Sequence, residues 1–148
     1  MHQVGEQVQS EMLSREFALS GTLATLPAAR DEIMEFVHPH CADEQQELDI
    51  MIALQEALAN AIVHGCHGDA GKMVRCTVEI SPSAIELTVR DPGQGFDTTN
   101  SDDISEDGTN LTRHGRGIHL MRGLMDEVTY RHQGTELRLK KLRSMSGS

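Results

Sequence analysis

Residues 74–89 read VRCTVEISPSAIELTV. Val74, Cys76, Val78 and Ile80 alternate with polar residues, and Ile85, Leu87 and Val89 repeat the pattern. A period of two places every second side chain on one face of a strand. Ser81-Pro82-Ser83 supplies the turn between the runs, so the segment predicts an antiparallel hairpin with one buried face. Hairpins need no crossover helix, which points away from the βαβ dinucleotide-binding folds.

Upstream lies the clearest helix. Asp43 can cap it, with Gln46 three residues on. Leu48, Met51, Leu54, Leu58, Ala61 and Ile62 recur at helical spacing, and Gly65 and Gly68 mark the stop. Before it, Phe17, Leu19 and Gly21 suit a first strand. Pro27 then fits the first turn of a helix with an apolar stripe of Ala29, Ile33, Phe36 and Val37, ending before Pro39. Downstream, Asp91-Pro92-Gly93-Gln94-Gly95-Phe96 is followed by a polar stretch to about Arg113, with an acidic lid over residues 97–110. Gly115 and Gly117 open a third helix carrying Ile118, Met121, Leu124 and Met125. A closing hairpin pairs Val128–His132 with Thr135–Leu139 across Gln133-Gly134. The order β-α-α-β-β-loop-α-β-β predicts an α+β fold: a two-layer α/β sandwich, its mixed but mostly antiparallel sheet covered by helices on one face.

The chain has 148 residues, a length that fits one domain. The expected organisation is a flexible arm over 1–14, a domain over 15–142 and a flexible tail over 143–148. With 38% apolar and 24% charged residues, the composition excludes collagen, a disordered tail and a disulfide scaffold. No apolar run approaches the roughly 18 residues of a membrane span, and the start MHQVGEQVQSEM has no secretory pattern. Cys41, Cys66 and Cys76 are an odd count without a C-x-x-C, which suits reduced thiols in the cytoplasm. The net charge of −10 argues against direct binding of nucleic acid. Residues 1–112 hold 5 basic and 20 acidic side chains, and residues 113–148 hold 8 and 3, so help for a polyanionic ligand comes from the last quarter. Lys140, Lys141 and Arg143 read as a solvated basic tail.

Three places could carry chemistry. On the long helix, Glu56, Asn60 and His64 stand at i, i+4 and i+8, drifting by about 40° per step, so they form one polar line. A Glu can take a proton from an attacking hydroxyl, and an Asn oxygen is a hard neutral ligand suited to Mg²⁺. A solvated helix face reads the same way, although Ala53, Ala57 and Ala61 beside the line leave room for a ligand. Asp91-Pro92-Gly93-Gln94-Gly95-Phe96 ends a strand with an acceptor for an exocyclic amine and two glycines for close approach, or it is a plain turn. Arg113-His114-Gly115-Arg116-Gly117 opens a helix whose free N–H groups and arginines suit phosphate, or it is a simple glycine-rich helix start. His38, His40 and Cys41, and again His64, Cys66 and His67, are zinc-ligand types without zinc-finger spacing.

Together, Glu56-x-x-x-Asn60, Asp91-x-Gly93-x-Gly95, Gly115-x-Gly117 and Gly134-Thr135 resemble the motif set of the Bergerat-fold (GHKL) ATPases, the ATP-binding domains of gyrase and the histidine kinases among others. The small size, the continuation Ala61-Ile62-Val63-His64-Gly65 and the placing of Arg113 resemble the bacterial anti-sigma factor serine/threonine kinase branch. The resemblance implies the Bergerat fold and assigns roles. Glu56 is the general base, Asn60 the Mg²⁺ ligand, and Asp91 the adenine partner supported by Thr135. Gly93 and Gly95 shape the base pocket. Gly115 and Gly117 offer backbone N–H groups to the phosphates, Arg113 reaches the terminal phosphate and Arg116 adds positive charge. His64 holds a recurring family position in the nucleotide site, and Arg30 lies where relatives meet partner proteins. The implied cofactors are ATP and Mg²⁺. The implied partners are a STAS-domain anti-sigma-factor antagonist, a sigma factor and a second copy of the chain. An ATP-binding regulatory interaction module without kinase activity is the alternative.

Overall fold

The computed structural model describes residues 12–93, 113–132 and 135–143. The expectations placed on residues 1–11, Gly95, the acidic lid, Gly134 and residues 144–148 lie outside the described residues, as do the side chains of Arg113 and Arg116.

Five strands form one sheet: β1 (Leu13–Ser20), β2 (Met73–Ile80), β3 (Ala84–Arg90), β4 (Glu127–Arg131) and β5 (Glu136–Leu142). Their spatial order is β1-β2-β3-β5-β4. All four pairings are antiparallel. The helices are α1 (Leu26–Val37), α2 (Glu44–Asn60) and α3 (Arg113–Leu124). They cover one face of the sheet and bury its inward row, Val74, Cys76, Val78, Leu87, Val89 and Leu139 among others. Each fully buried Leu, Ile or Val there contributes roughly 1.5–3 kcal/mol relative to exposure. The α+β two-layer sandwich expected from the pattern is the fold observed.

Details differ where tertiary packing overrides local pattern. β1 begins at Leu13, inside the stretch expected as an arm, because Leu13 and Ser14 pair with Ile80 and Glu79. Asp43 caps α2 as expected, its carboxylate accepting from the Gln46 N–H at 2.8 Å. Leu48, read as core, is 43% exposed, and Ile50 takes the inward position. Ala53, Ala57 and Ala61, read as leaving room for a ligand, are buried in the core, so the protein itself fills that space. Of the two glycines expected to mark the stop, Gly65 lies inside the helix and Gly68 stands at its end: α2 runs on through a π-helical turn, Ala61–Cys66, and ends at left-handed His67 (φ 54°) followed by Gly68 (φ 75°).

The basic C-terminal residues are tied into the fold instead of forming a solvated tail. Lys141 Nζ bonds Asp49 Oδ2 at 3.3 Å on α2 and donates to the Leu124 carbonyl, satisfying an orphan acceptor at the end of α3. Lys140 stands between Glu86 and Glu127, and an Arg143 Nη1–H donates to the Ser81 carbonyl at 2.7 Å. Among the described residues no helix is long and apolar enough to cross a membrane.

Candidate functional site

α2 presents Glu56 and Asn60 one turn apart, both half-buried. An ideal α-helix would rotate His64 a further ~40° from this line. The π turn, with its i→i+5 bonds, holds more residues per turn and takes part of that drift back. α3 crosses directly over the line. A Cβ at Gly117 would lie 2.5 Å from Glu56 Oε2 and 2.8 Å from Asn60 Nδ2, so only glycine lets the N-terminal half of α3 rest there. The crossing sets the N-terminal half of α3, the turn that holds Arg113, Gly115 and Arg116, one turn from the two polar side chains, and a helix N-terminus is suited to an anion.

Asn60 Nδ2 is buried without a hydrogen-bond partner. A buried amide end left unmade is costly, and turning the carboxamide over would put Oδ1, a hard neutral oxygen, at the same point. A carboxamide beside a carboxylate suits Mg²⁺, so the residues present fit that ion.

A second group forms at the end of β3. The Asp91 N–H donates to the Thr135 carbonyl at 2.9 Å, extending the ladder past the strand. The Gly93 N–H donates to Asp91 Oδ1 at 2.8 Å. Gly65 in the π turn presses against this carboxylate, since any Cβ there would overlap the Asp91 carboxyl group. A Cβ on Gly93 would in turn fall 2.7 Å from the Gly65 carbonyl oxygen. The pair of glycines thus clamps Asp91 between the π turn and the start of the next segment. Burial pushes the Asp91 carboxyl above the usual aspartate range, opposed by the Gly93 N–H and by nearby His67. The Thr135 hydroxyl donates to the His132 carbonyl at 2.9 Å, so Thr135 supports Asp91 through its backbone.

Glu56, Asn60 and Gly117 therefore come together, as do Asp91 and Gly93. The pattern missed two residues. Gly65, taken for a helix stop, is a packing partner of Asp91. Tyr130 faces inward from β4; its hydroxyl is pushed up by burial and then by the Glu56 and Asp91 carboxylates, which places it within electrostatic reach of both groups. Only period-two alternation marked Tyr130 in the sequence. Arg30 on α1 is tied to α2, bonding Gln55 Oε1 at 2.8 Å, and pairs with Asp31 at 3.0 Å. The two histidine-cysteine clusters do not converge: among the described residues no group of three or more His, Cys, Asp or Glu side chains could hold a metal ion. His38 instead meets Glu47 at 2.8 Å.

A family model described as a histidine kinase-like ATPase domain matches residues 19–141. The chain belongs to the histidine kinase-like ATPase family. Within it, this ATPase domain resembles anti-sigma F factors. That of Geobacillus thermodenitrificans (strain NG80-2) is 35% identical over 106 residues, covering 67% of this chain and 70% of the relative. That of Geobacillus stearothermophilus is 32% identical over 123 residues, covering 76% and 81%. That of Bacillus cereus (strain AH187) is 30% identical over 127 residues, covering 81% and 86%. The crystal structure of the RsbU and RsbW domains of Rv1364c from Mycobacterium tuberculosis superposes with a TM-score of 0.60 at 21% identity. It covers 89% of this ATPase domain, which spans 33% of that longer chain, and supports the fold.

Proposed function

We propose that the protein is an ATP-dependent anti-sigma factor with serine/threonine kinase activity. In this reading it phosphorylates a STAS-domain anti-sigma-factor antagonist, sequesters a sigma factor, and works in the cytoplasm as a homodimer. The observation that carries the reading is the seating of α3 on Glu56 and Asn60 through Gly117, which joins a proton acceptor to an anion-binding helix end. The anti-sigma F factor names of the relatives support the regulatory part.

Phosphoryl transfer depends on positioning and charge neutralisation more than on covalent catalysis. Asp91 accepts from the exocyclic amine of adenine. The α3 N-terminus, with Arg113 and Arg116, takes the phosphates, and His64 borders the same helix face. Mg²⁺ held by Asn60 would supply charge neutralisation at the phosphates. Glu56 accepts the proton of the serine or threonine hydroxyl as that oxygen bonds to the γ-phosphorus. The bond from phosphorus to the bridging oxygen breaks, and ADP leaves with its electron pair. Arg30, fixed through Gln55 next to Glu56, is the contact for partner proteins.

The test pairs wild type with Glu56→Ala, supplied with γ-labelled ATP, Mg²⁺ and candidate STAS-domain proteins. The variant should bind ATP within a few-fold of wild type and lose about 10²–10⁴-fold in transfer, the contribution of a general base. Transfer at the wild-type rate would remove Glu56 from the mechanism. ATP binding without transfer by wild type would leave the regulatory module that lacks kinase activity.

A further inference from the structure

One inward-facing row of the sheet runs Phe17, Cys76, Val89, Leu137, Tyr130, each residue paired with the next across adjacent strands. The first four are buried core. Tyr130, on the edge strand β4, packs against the same core and brings the row its one hydroxyl. Leucine or phenylalanine would fill that place without taking a polar atom out of water, which is costly unless the hydroxyl meets a partner. The next inward step along the strands holds Asp91, joined to β5 at Thr135. Its Cα lies about 12 Å from that of Tyr130, from two strands at ~4.8 Å and two residues at ~3.4 Å. Above the row, α2 packs on β5 and α3 packs on β4. Gly117 of α3 rests on Glu56 of α2. Tyr130 therefore lies under the crossing of the two helices that form the site. The charged groups that act on its hydroxyl are Glu56 from α2, Asp91 from the end of β3 and Arg122 from α3.

Burial and the two carboxylates keep the phenol protonated, so it has one proton to donate. Burial is the largest influence on it, and Glu56 comes before Asp91. Asp91 already accepts from the Gly93 N–H and is clamped by Gly65. We propose that Tyr130 is the positioning residue of Glu56, its hydroxyl donating to the Glu56 carboxylate from the sheet side of the site. That bond engages one carboxylate oxygen and fixes the rotation of the side chain. The second oxygen is left to take the proton of the acceptor hydroxyl. Tyr130 keeps its own proton throughout and acts only through Glu56. A glutamate is a long side chain, and a displacement of ~1 Å at a reacting group is enough to slow a reaction about 10²-fold, so an anchor beneath it matters. The inference rests on the reading of Glu56 as the proton acceptor and adds the residue that orients it.

Tyr130 is the chain's one tyrosine, so meta-fluorotyrosine supplied during expression labels it alone. Fluorine NMR then follows the phenol through its titration in the unliganded protein, with no kinase activity required. Glu56→Gln should lower the midpoint by roughly half a unit or more, and Asp91→Asn by less. In the transfer assay, Tyr130→Phe should reduce kcat about 10-fold or more, the loss of a hydrogen bond to a charged group, and leave KM for ATP within about two-fold. A tyrosine that only fills the core would leave kcat unmoved in the phenylalanine variant, whatever urea unfolding reports of its stability. An unchanged midpoint in Glu56→Gln, a larger shift in Asp91→Asn, or wild-type kcat in Tyr130→Phe would overturn the proposal. If Tyr130→Phe loses its fold, the titration decides, because it keeps the ring and hydroxyl in place. A wild type that transfers no phosphate while Glu56→Gln still shifts the phenol would sink the kinase reading and leave the bond from Tyr130 to Glu56 supported.

Discussion

Gly117→Ala separates the site from general stability. The added methyl carbon would sit 2.5 Å from Glu56 Oε2, 2.8 Å from Asn60 Nδ2 and 3.2 Å from Glu56 Cδ. Ordinary contact begins near 3.4 Å, so α3 and the Glu56 carboxylate must separate by close to 1 Å. Overpacking of this size costs about 1–3 kcal/mol, and the helix preference of Ala over Gly returns about 1 kcal/mol, leaving a net loss of about 0–2 kcal/mol. Function is more sensitive, because a displacement of ~1 Å at a reacting group costs about 10²-fold. Gly123→Ala is the control in the same helix, since a Cβ there meets nothing within 4 Å. It should stabilise by about 0.4–1 kcal/mol and leave activity intact. Urea unfolding and γ-phosphate transfer measure both. Equal transfer rates for Gly117→Ala and Gly123→Ala would refute the close seating of α3 on Glu56 and Asn60.

Asp91→Asn should lower ATP affinity by at least 10-fold in a binding titration, since a charge-assisted acceptor worth about 1.5–3 kcal/mol becomes a mixed donor. Unchanged affinity would remove Asp91 from recognition of the base. Because burial holds the Asp91 carboxyl above its ordinary value, ATP affinity should fall as pH is lowered through that raised value. Stability of the unliganded chain moves the other way. The native form binds more protons than the unfolded chain between the ordinary and raised values, so this group's contribution falls as pH rises through that window. Urea titrations across the window check the sign. Burial pushes the Cys41 thiol up to about 11, the Cys76 thiol up to about 12 and the Cys66 thiol up as well, so thiolate is scarce near neutrality. Native protein should resist iodoacetamide at pH 7.5 while the urea-unfolded chain takes up three labels; rapid native labelling of Cys76 would contradict its burial.

The sheet was readable because its strands alternate strictly and its turns carry Pro or Gly, so Val74–Ile80 and Ile85–Val89 could face only one way. The helices were less so. α2 buries Ala53 and Ala57 as fully as Leu54 and Leu58, and alanine suits an open groove and a close helix contact alike. The choice between them depends on what packs there, which no local pattern encodes. Leu48 entered the apolar stripe by spacing and left it because α2 begins at Glu44, near the edge of the core. Gly65 was misread for a different reason. Glycine near a helix end is common, but here it follows a switch to π-helical bonding and touches Asp91, 26 positions later in the chain. The motif residues themselves were legible through their order. Their meeting in space follows from Gly117 and Gly93, whose missing side chains let one segment lie on another.

The most direct measurement is a calorimetric titration of the folded protein with ATP, with and without Mg²⁺. The expected result is saturable binding to one site per chain, strengthened by Mg²⁺ and lost in Asp91→Asn. Folded protein that takes up no ATP in either condition would contradict the nucleotide site and the kinase reading with it.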